Sequence, residues 1–318
     1  MSTTTIRPAT RNEWLELRKS GIGSSEVATI VGLNPWDTPY KLWRRKTGQD
    51  APTEENQAMR RGHYCEDAVA QYWADATGRE VIKRSAGDWI IRDDEKPYLQ
   101  VSPDRTFWVS ADGVKHGKNA EANKGILECK TTNTVIDAND LPKHWFCQVQ
   151  YQLGVAGYEH GSLAWMMHGF DFGHQDIDLV PDFYQWLVEQ VDRFWTDNVI
   201  GGKEPDSINA ADVVAKYSRH TDGKVIEASD DIYGAYLELK EVKEELARLD
   251  ERKSSLEDSI KLALGDAEAV AYQGNTLATW KSTKVGLKFD EKTFKSENSE
   301  MWNKYAREVQ GARRFLVK

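Results

Sequence analysis

Apolar positions recur along this chain with two periods, and the changes from one to the other divide it into elements. A three-and-four spacing predicts a helical turn or two over 14–20, a short helix from Pro39 to about 45, and a longer helix over about 53–77. In that longer helix Thr53 is a plausible N-cap, Glu54 and Glu55 fall in the first turn, and Gly78 is a stop. Its inward stripe reads Met59, Gly62, Glu66, Val69 or Ala70, and Trp73. Between 79 and 131 the period drops to two and the chain reads as a β-meander. Strands at 79–83 and 88–92 flank Ser85-Ala86-Gly87, a third at 98–102 ends at Pro103-Asp104, and after 107–109 and a polar loop comes the strand 125–131. A helix then runs from Pro142 to Ala156, stopped by Gly157, with His144, Gln148, Tyr151, Gln152 and Val155 on one face. Strands at 162–168 and 175–180 follow. The helix over 182–198 carries a buried stripe of Phe183, Trp186, Leu187, Val191, Phe194 and Trp195.

The stretch Gly201-Gly202-Lys203-Glu204-Pro205 has the composition of a linker, giving a first domain over 1–205 and a linker over 206–229. From Ile232 the positions 235, 239, 242, 246, 249, 253, 256, 260 and 263 hold Ala, Leu, Val, Leu, Leu, Lys, Leu, Ile and Ala. This heptad seam, interrupted at Lys253, predicts a long helix over 230–265 that either pairs in a coiled coil between subunits or folds back on its own domain. The module over 266–318 contains a hairpin around Gln273-Gly274-Asn275. From Ala271 onward it has ten Lys/Arg against five Asp/Glu, a balance of +5. Its interleaved aromatics, Trp280, Phe289, Phe294, Trp302, Tyr305 and Phe315, either contact DNA or form the core of a small packed module.

Composition narrows the class. The chain has 318 residues, 40% hydrophobic and 29% charged, as a soluble globular protein does. No apolar run reaches 18 residues and the N-terminal stretch lacks the layout of a signal peptide, so a cytoplasmic protein with no membrane association is expected. Three cysteines, Cys65, Cys129 and Cys147, are widely spaced with no CxxC, which indicates neither a disulfide framework nor a zinc knuckle. A net charge of −9 argues against a surface coated in nucleic acid but leaves room for a local basic channel.

The candidate chemistry centres on Gly125-Ile126-Leu127-Glu128-Cys129-Lys130-Thr131. Alternation sends Glu128 and Lys130 to one face of this strand and Leu127 and Cys129 to the other. Charges on a half-buried strand require partners; a plain ion pair at the surface is the simpler alternative. Asp104 lies 24 positions earlier across a turn, so it is either one of the residues that antiparallel pairing of adjacent strands can bring beside Glu128 at one sheet edge or, following Pro103, an ordinary turn residue. Glu66 either sits on an inward helical stripe, where it needs a positive partner, or rotates outward beside Asp67. Upstream, Arg18 precedes Gly21-Ile22-Gly23-Ser24-Ser25-Glu26. Here a serine is suited to cap the following helix, Gly32 can close it, and the hydroxyls of Ser24 and Ser25 form either an anion site or an ordinary cap.

Five motifs occur in order at suitable separations: Arg18 with Gly-Ile-Gly-Ser-Ser-Glu at 21–26, Arg61-Gly62 followed by Glu66-Asp67-Ala68, Ser102-Pro103-Asp104, Leu127-Glu128-Cys129-Lys130, and Gln148-Val149-Gln150-Tyr151. Over roughly residues 10–200 the chain resembles the YqaJ-type viral recombinase nucleases, relatives of phage lambda exonuclease in the PD-(D/E)XK superfamily. The resemblance implies an α/β restriction-endonuclease-like core, a central mixed sheet flanked by helices, here followed by the long helix and a small α+β module. It implies Asp104 and Glu128 as metal-binding carboxylates, the Cys129 carbonyl as a further ligand, Glu66 as the helix-borne acid helping to hold a second ion, Lys130 as the active-site lysine, and Gln148 as its companion. Arg18, Ser24 and Ser25 match a pocket for a terminal 5′ phosphate. Arg105 stands where relatives often have glycine.

The activity implied is Mg²⁺-dependent hydrolysis of phosphodiesters in linear double-stranded DNA. Two ions take part and Mn²⁺ can substitute. Resection runs 5′ to 3′ and leaves a 3′ single strand for a single-strand annealing recombinase. A homo-oligomer, a trimeric ring, is implied as well. Hard oxygen ligands suit Mg²⁺, and Lys130 positions or deprotonates the attacking water. An endonuclease on the same fold and a silent DNA-end-binding scaffold are the alternatives.

Overall fold

The structure, a computed structural model, describes residues 2–51, 56–82, 89–109, 124–308 and 311–317. They form two compact units, Met1–Val213 and Val214–Lys318. The first contains β1 (Thr3–Ile6), α1 (Arg11–Lys19), α2 (Ser24–Ile30), α3 (Pro39–Lys46), α4 (Gln57–Thr77), β2 (Val81–Ile82), β3 (Ile90–Asp93), β4 (Gln100–Val101), β5 (Arg105–Trp108), β6 (Lys124–Thr132), α5 (Lys143–Ala156), β7 (His160–Met167), β8 (Asp171–Asp178) and α6 (Pro181–Arg193). A π-helical turn, Phe194–Ile200, continues α6.

The central sheet has the order β2-β5-β6-β7-β8. It is mixed, as expected: β5 runs antiparallel to β6, β6 parallel to β7, and β7 antiparallel to β8. Parallel neighbours need a crossover, and α5 supplies the one between β6 and β7. Alternation along β6 and β7 clothes both faces. Leu127, Cys129, Ala164 and Met166 pack against Val69, Ala70 and Trp73 of α4. On the other face Ile126, Leu163 and Trp165 pack against Trp145, Val149 and Leu153 of α5. Both helices end where expected, in left-handed glycines at Gly78 (φ 68°) and Gly157 (φ 73°).

Several expectations are corrected. Residues 79–109 are no single meander: β2 pairs with β5, whereas β3 and β4 join β1 in a separate sheet of order β1-β3-β4. The β-branched run Thr3-Thr4-Thr5-Ile6 is the strand that captures β3, and it outcompetes the local hairpin. The turn at 85–87 lies outside the described residues, as do Thr53, Glu54, Glu55 and most of the polar loop after 109. Helix α4 starts after Asn56, whose side-chain oxygen accepts the Met59 N–H at 2.9 Å. Strands β7 and β8 begin two and four residues earlier than expected. In α6 the buried face is Tyr184, Leu187, Val188 and Val191, and Trp186 is exposed.

The first unit runs on past Pro205 because Asp212 is buried there and accepts the Thr38 hydroxyl proton at 2.7 Å. Asp212 belongs to α7 (Ala210–Lys216), within which the boundary between units falls. The second unit holds α8 (Asp230–Leu264), β9 (Ala269–Tyr272) and β10 (Asn275–Thr279) as a hairpin, then α9 (Glu291–Glu297) and α10 (Ser299–Tyr305). Among its described residues beyond Leu264 none is buried, and Trp280, Phe289, Tyr305 and Phe315 are exposed. The tail aromatics are therefore not a packed core. No helix among the described residues is long and apolar enough to cross a membrane.

Candidate active site

The site is built on the end of β6. Arg105 pairs with Leu127 where β5 begins, so the β5 side of β6 lies open beyond Leu127. Asp104, one residue before β5, fills that edge, and the Cys129 N–H donates to its Oδ2 at 2.8 Å. A strand residue directs its N–H and C=O to the same edge, which aims the Cys129 carbonyl beside Asp104. The Cys129 side chain faces α4 in the core. Burial and the Asp104 carboxylate push its thiol well above the usual range, which makes it a packing group and no nucleophile.

On the opposite face Glu128 and Lys130 meet α5. Glu128 is almost fully buried. Its Oε1 accepts from Lys130 Nζ and from Gln148 Nε2, each at 2.5 Å, while Lys130 Nζ also donates to Gln148 Oε1 at 2.9 Å. These three side chains close a triangle. The second oxygen, Oε2, accepts from Gln152 Nε2 at 2.8 Å, and the same amide donates to Ser24 Oγ at 3.2 Å. Gln152 is one helical turn beyond Gln148, so the two amides stack along one face of α5. Burial would lower the Lys130 pKa, but the carboxylates of Glu128 and Asp104 outweigh it and hold it above its ordinary value.

Asp104 shows the opposite balance. Burial, then the nearby charges of Glu128 and Glu66, raise its carboxyl well above the ordinary range, with Lys130 and the Cys129 N–H only partly offsetting them. Glu66 lies at the rim: its Oε1 is 3.2 Å from His63 Nδ1 and its Oε2 3.7 Å from Arg105 Nη1. Arg105 also donates to Asp67 Oδ1 and to the Asp104 carbonyl, both at 2.6 Å. Its pairing with Glu66 supplies the positive partner that a carboxylate on α4 requires. Met59, read as part of the buried stripe, is exposed and borders the cavity. The α4 stripe thus turns from core at Trp73 to cavity wall at its N-terminal end.

The phosphate-pocket candidates line the same cavity. Arg18 Nη2 donates to Ser25 Oγ at 3.1 Å, and the guanidinium lies 4.7 Å from the Trp14 ring centroid. Ser25 is exposed, whereas Ser24 is buried and takes its hydrogen bond from Gln152. The cap of α2 is Gly23 and not a serine. Its N–H is consumed by Glu26 Oε2 at 2.8 Å, because that carboxylate folds back over the turn. Gly32, with φ at 70°, follows the end of the helix. Beneath the turn Lys46 Nζ reaches Glu26 Oε2 at 2.8 Å and the carbonyls of Gly21 and Arg18 at 2.6 and 3.0 Å. Burial would raise the Glu26 carboxyl, but Lys46 and Arg18 together hold it below its usual value.

All nine residues singled out in the sequence, Arg18, Ser24, Ser25, Glu66, Asp104, Glu128, Cys129, Lys130 and Gln148, border one cavity of about 1060 Å³. Gln152, Lys46 and Arg105 complete the arrangement. Gln152 was visible only as a neighbour of Gln148 on a shared helical face, and Arg105 only as a departure at a glycine position. Lys46 left no local signal. The donor set fits a hard cation: its oxygens are carboxylates and a carbonyl, and burial, then the charges of Glu128 and Glu66, raise the Asp104 carboxyl by more than Lys130 offsets. Among the described residues no three His, Cys, Asp or Glu side chains are grouped closely enough to chelate an ion. Asp104, Glu128 and the Cys129 carbonyl would therefore hold it together with water, a shell that Mg²⁺ accepts.

The fold and site define a mixed α/β protein with an acidic, lysine-bearing cleft at the end of the middle strand of its central sheet. Residues 13–159 match the model of the YqaJ-like viral recombinase domain. The uncharacterized protein YqaJ of Bacillus subtilis (strain 168) is 31% identical over 320 residues, spanning 97% of this chain and 94% of that protein. The chain belongs to the YqaJ family of viral recombinases. Among solved structures, an alkaline exonuclease from Laribacter hongkongensis is similar at 19% identity and a TM-score of 0.44, over 58% of this chain and 91% of that one. A phage-related exonuclease from Haemophilus somnus is similar at 11% identity and a TM-score of 0.39, over 57% and 96%.

Proposed function

We propose that this protein is a Mg²⁺-dependent exonuclease that degrades linear double-stranded DNA from the 5′ end. The observation that carries the reading is the meeting of Asp104, Glu128, Lys130 and Gln148 at the end of β6, in a cavity that Arg18 and Ser25 also line. Asp104, Glu128 and the Cys129 carbonyl would hold a divalent ion, which would supply an activated water and charge relief for the phosphodiester. The chain's own residues do the rest. Lys130, held charged between Glu128 and Gln148, donates to the scissile phosphate and offsets its developing negative charge. Its raised pKa favours this role over that of general base. Gln148 fixes the ammonium without competing for the ion, and Glu66 stands ready at the rim for a second. Arg18 and Ser25 offer a charged donor and a hydroxyl to a terminal phosphate, which bears more charge than an internal diester.

The product of this reaction is a 3′ single strand, the substrate class of an annealing recombinase. The test compares linear and closed circular duplex with and without Mg²⁺. Linear DNA is consumed only with the ion, 5′-phosphorylated ends faster than 5′-hydroxyl ends, and circles persist. Cleavage of circles identifies an endonuclease instead, and end binding without hydrolysis a scaffold. Lys130→Ala abolishes hydrolysis with duplex binding retained; activity in that variant refutes the role given to Lys130.

A further inference from the structure

Helix α8 extends over 35 residues, about 50 Å, and within its own unit its apolar seam is uncovered. Leu246, Leu249 and Leu256 each expose more than half of their surface, and Ile232, Val242 and Ile260 are exposed too. A stripe sustained over four heptads at this exposure is an interaction face. From the pattern of its residues we infer that α8 pairs with α8 of a second copy of this chain, in an antiparallel coiled coil centred between Ala247 and Arg248. This assignment is independent of the nuclease reading.

The seam is matched to its own reverse. With the centre at that point, Leu246 faces the partner's Leu249, Leu239 the partner's Leu256, Val242 the partner's Lys253, Ala235 the partner's Ile260, and Ile232 the partner's Ala263. Every seam position from 232 to 263 finds a counterpart with no overhang. Each alanine meets an isoleucine, the small-against-large packing that fills a core evenly. A parallel pair stacks the two Lys253 side chains on each other and leaves Ala235 and Ala263 facing their own copies, which puts like charges and voids in the seam.

The flanking charges select the same register. Lys243 and Asp250 lie on one flank, Glu245 and Arg252 on the other. In the centred antiparallel pair Lys243 meets the partner's Asp250 and Glu245 meets the partner's Arg252, each contact occurring twice by symmetry. Sliding one heptad either way brings Asp250 and Arg252, or Lys243 and Glu245, against their own copies. In a parallel pair Glu245 faces the partner's Asp250. Within the chain these four side chains make no ion pair or side-chain hydrogen bond among the described residues. Neighbouring charges of α8 do pair internally, Arg248 with Glu244 and Lys253 with Glu257. The four left over are those the antiparallel register uses.

Sedimentation equilibrium of the full chain at about 0.15 M salt tests this. Wild type sediments as an even multiple of the 36.2 kDa chain, a dimer or a pair of trimeric rings, and Leu246→Lys with Leu249→Lys halves that mass. Glu245→Arg weakens the dimer by about tenfold or more, since two attractive contacts become repulsive. Glu245→Arg combined with Arg252→Glu returns it to within about threefold of wild type, and that recovery separates a lost contact from a lost fold. A wild-type monomer at all concentrations overturns the proposal. So does a trimer unaffected by the leucine substitutions. Tighter association of Glu245→Arg also overturns it, since that is the outcome for a parallel pair.

Discussion

The turn carrying Arg18 and Ser25 is held from beneath by Lys46, and removing that lysine should disarm it. Lys46 is 5% exposed at its side chain and Glu26 19%, so the pair is only weakly screened. Lys46→Met keeps most of the volume but leaves Glu26 with Arg18 as its remaining nearby cation. Removing one partner of a buried pair costs about 3–5 kcal/mol. The two carbonyls add little to that, because the Arg18 carbonyl keeps a bond from Gln100 Nε2 at 2.9 Å and only the Gly21 carbonyl loses its side-chain donor.

The expected loss in unfolding free energy of the first unit is therefore about 3 kcal/mol at pH 7, read by urea denaturation. Adding Glu26→Gln removes the stranded charge and should recover about half of it. The pH dependence has a definite sign. Glu26 is held below its ordinary value, so its contribution is present above the ordinary carboxylate range and is lost as the pH falls through the folded value. The gap between wild type and Lys46→Met must then narrow on acidification. Cleavage of 5′-phosphorylated ends should fall more than that of 5′-hydroxyl ends. A gap that is constant with pH, or a double variant no more stable than the single one, refutes the coupling.

Other substitutions test the cleft. Asp104→Asn should abolish cleavage yet stabilise the ion-free protein at pH 7 by about 1 kcal/mol. Its carboxyl is raised, so it destabilises when charged, and the gain should vanish as the pH falls and Asp104 protonates. An Asn variant less stable than wild type at neutral pH contradicts this. Gln152→Leu removes a bond to buried Glu128 and should cost about 2 kcal/mol and lower cleavage. In a double-mutant cycle with Glu128→Gln its effect should be less than additive, and full additivity would deny the contact. Arg105→Ala removes a cation beside Asp104 and frees Glu66, so half-maximal cleavage should need less Mg²⁺; an unchanged or higher requirement refutes that role.

Much of the site was legible because its logic is local. Period-two alternation alone puts Glu128 and Lys130 on one face of β6 and Cys129 on the other, whatever the strand pairs with. Gly78 and Gly157 stop their helices through backbone freedom that neighbours do not alter. The seam of α8 is likewise a property of spacing along one helix. Tertiary structure decided what depends on meeting a distant segment. Strand β3 leaves β2 for β1 because a ladder forms with whichever edge arrives in register. Met59 and Trp186 fit their helical stripes but face the cleft or solvent, since periodicity names a face and not what covers it. Lys46 and Gln152 acquire roles only when α3 and α5 bring them to Glu26, Ser24 and Glu128, across 20 to 128 positions of sequence. Burial makes those contacts consequential, and burial belongs to the assembled fold.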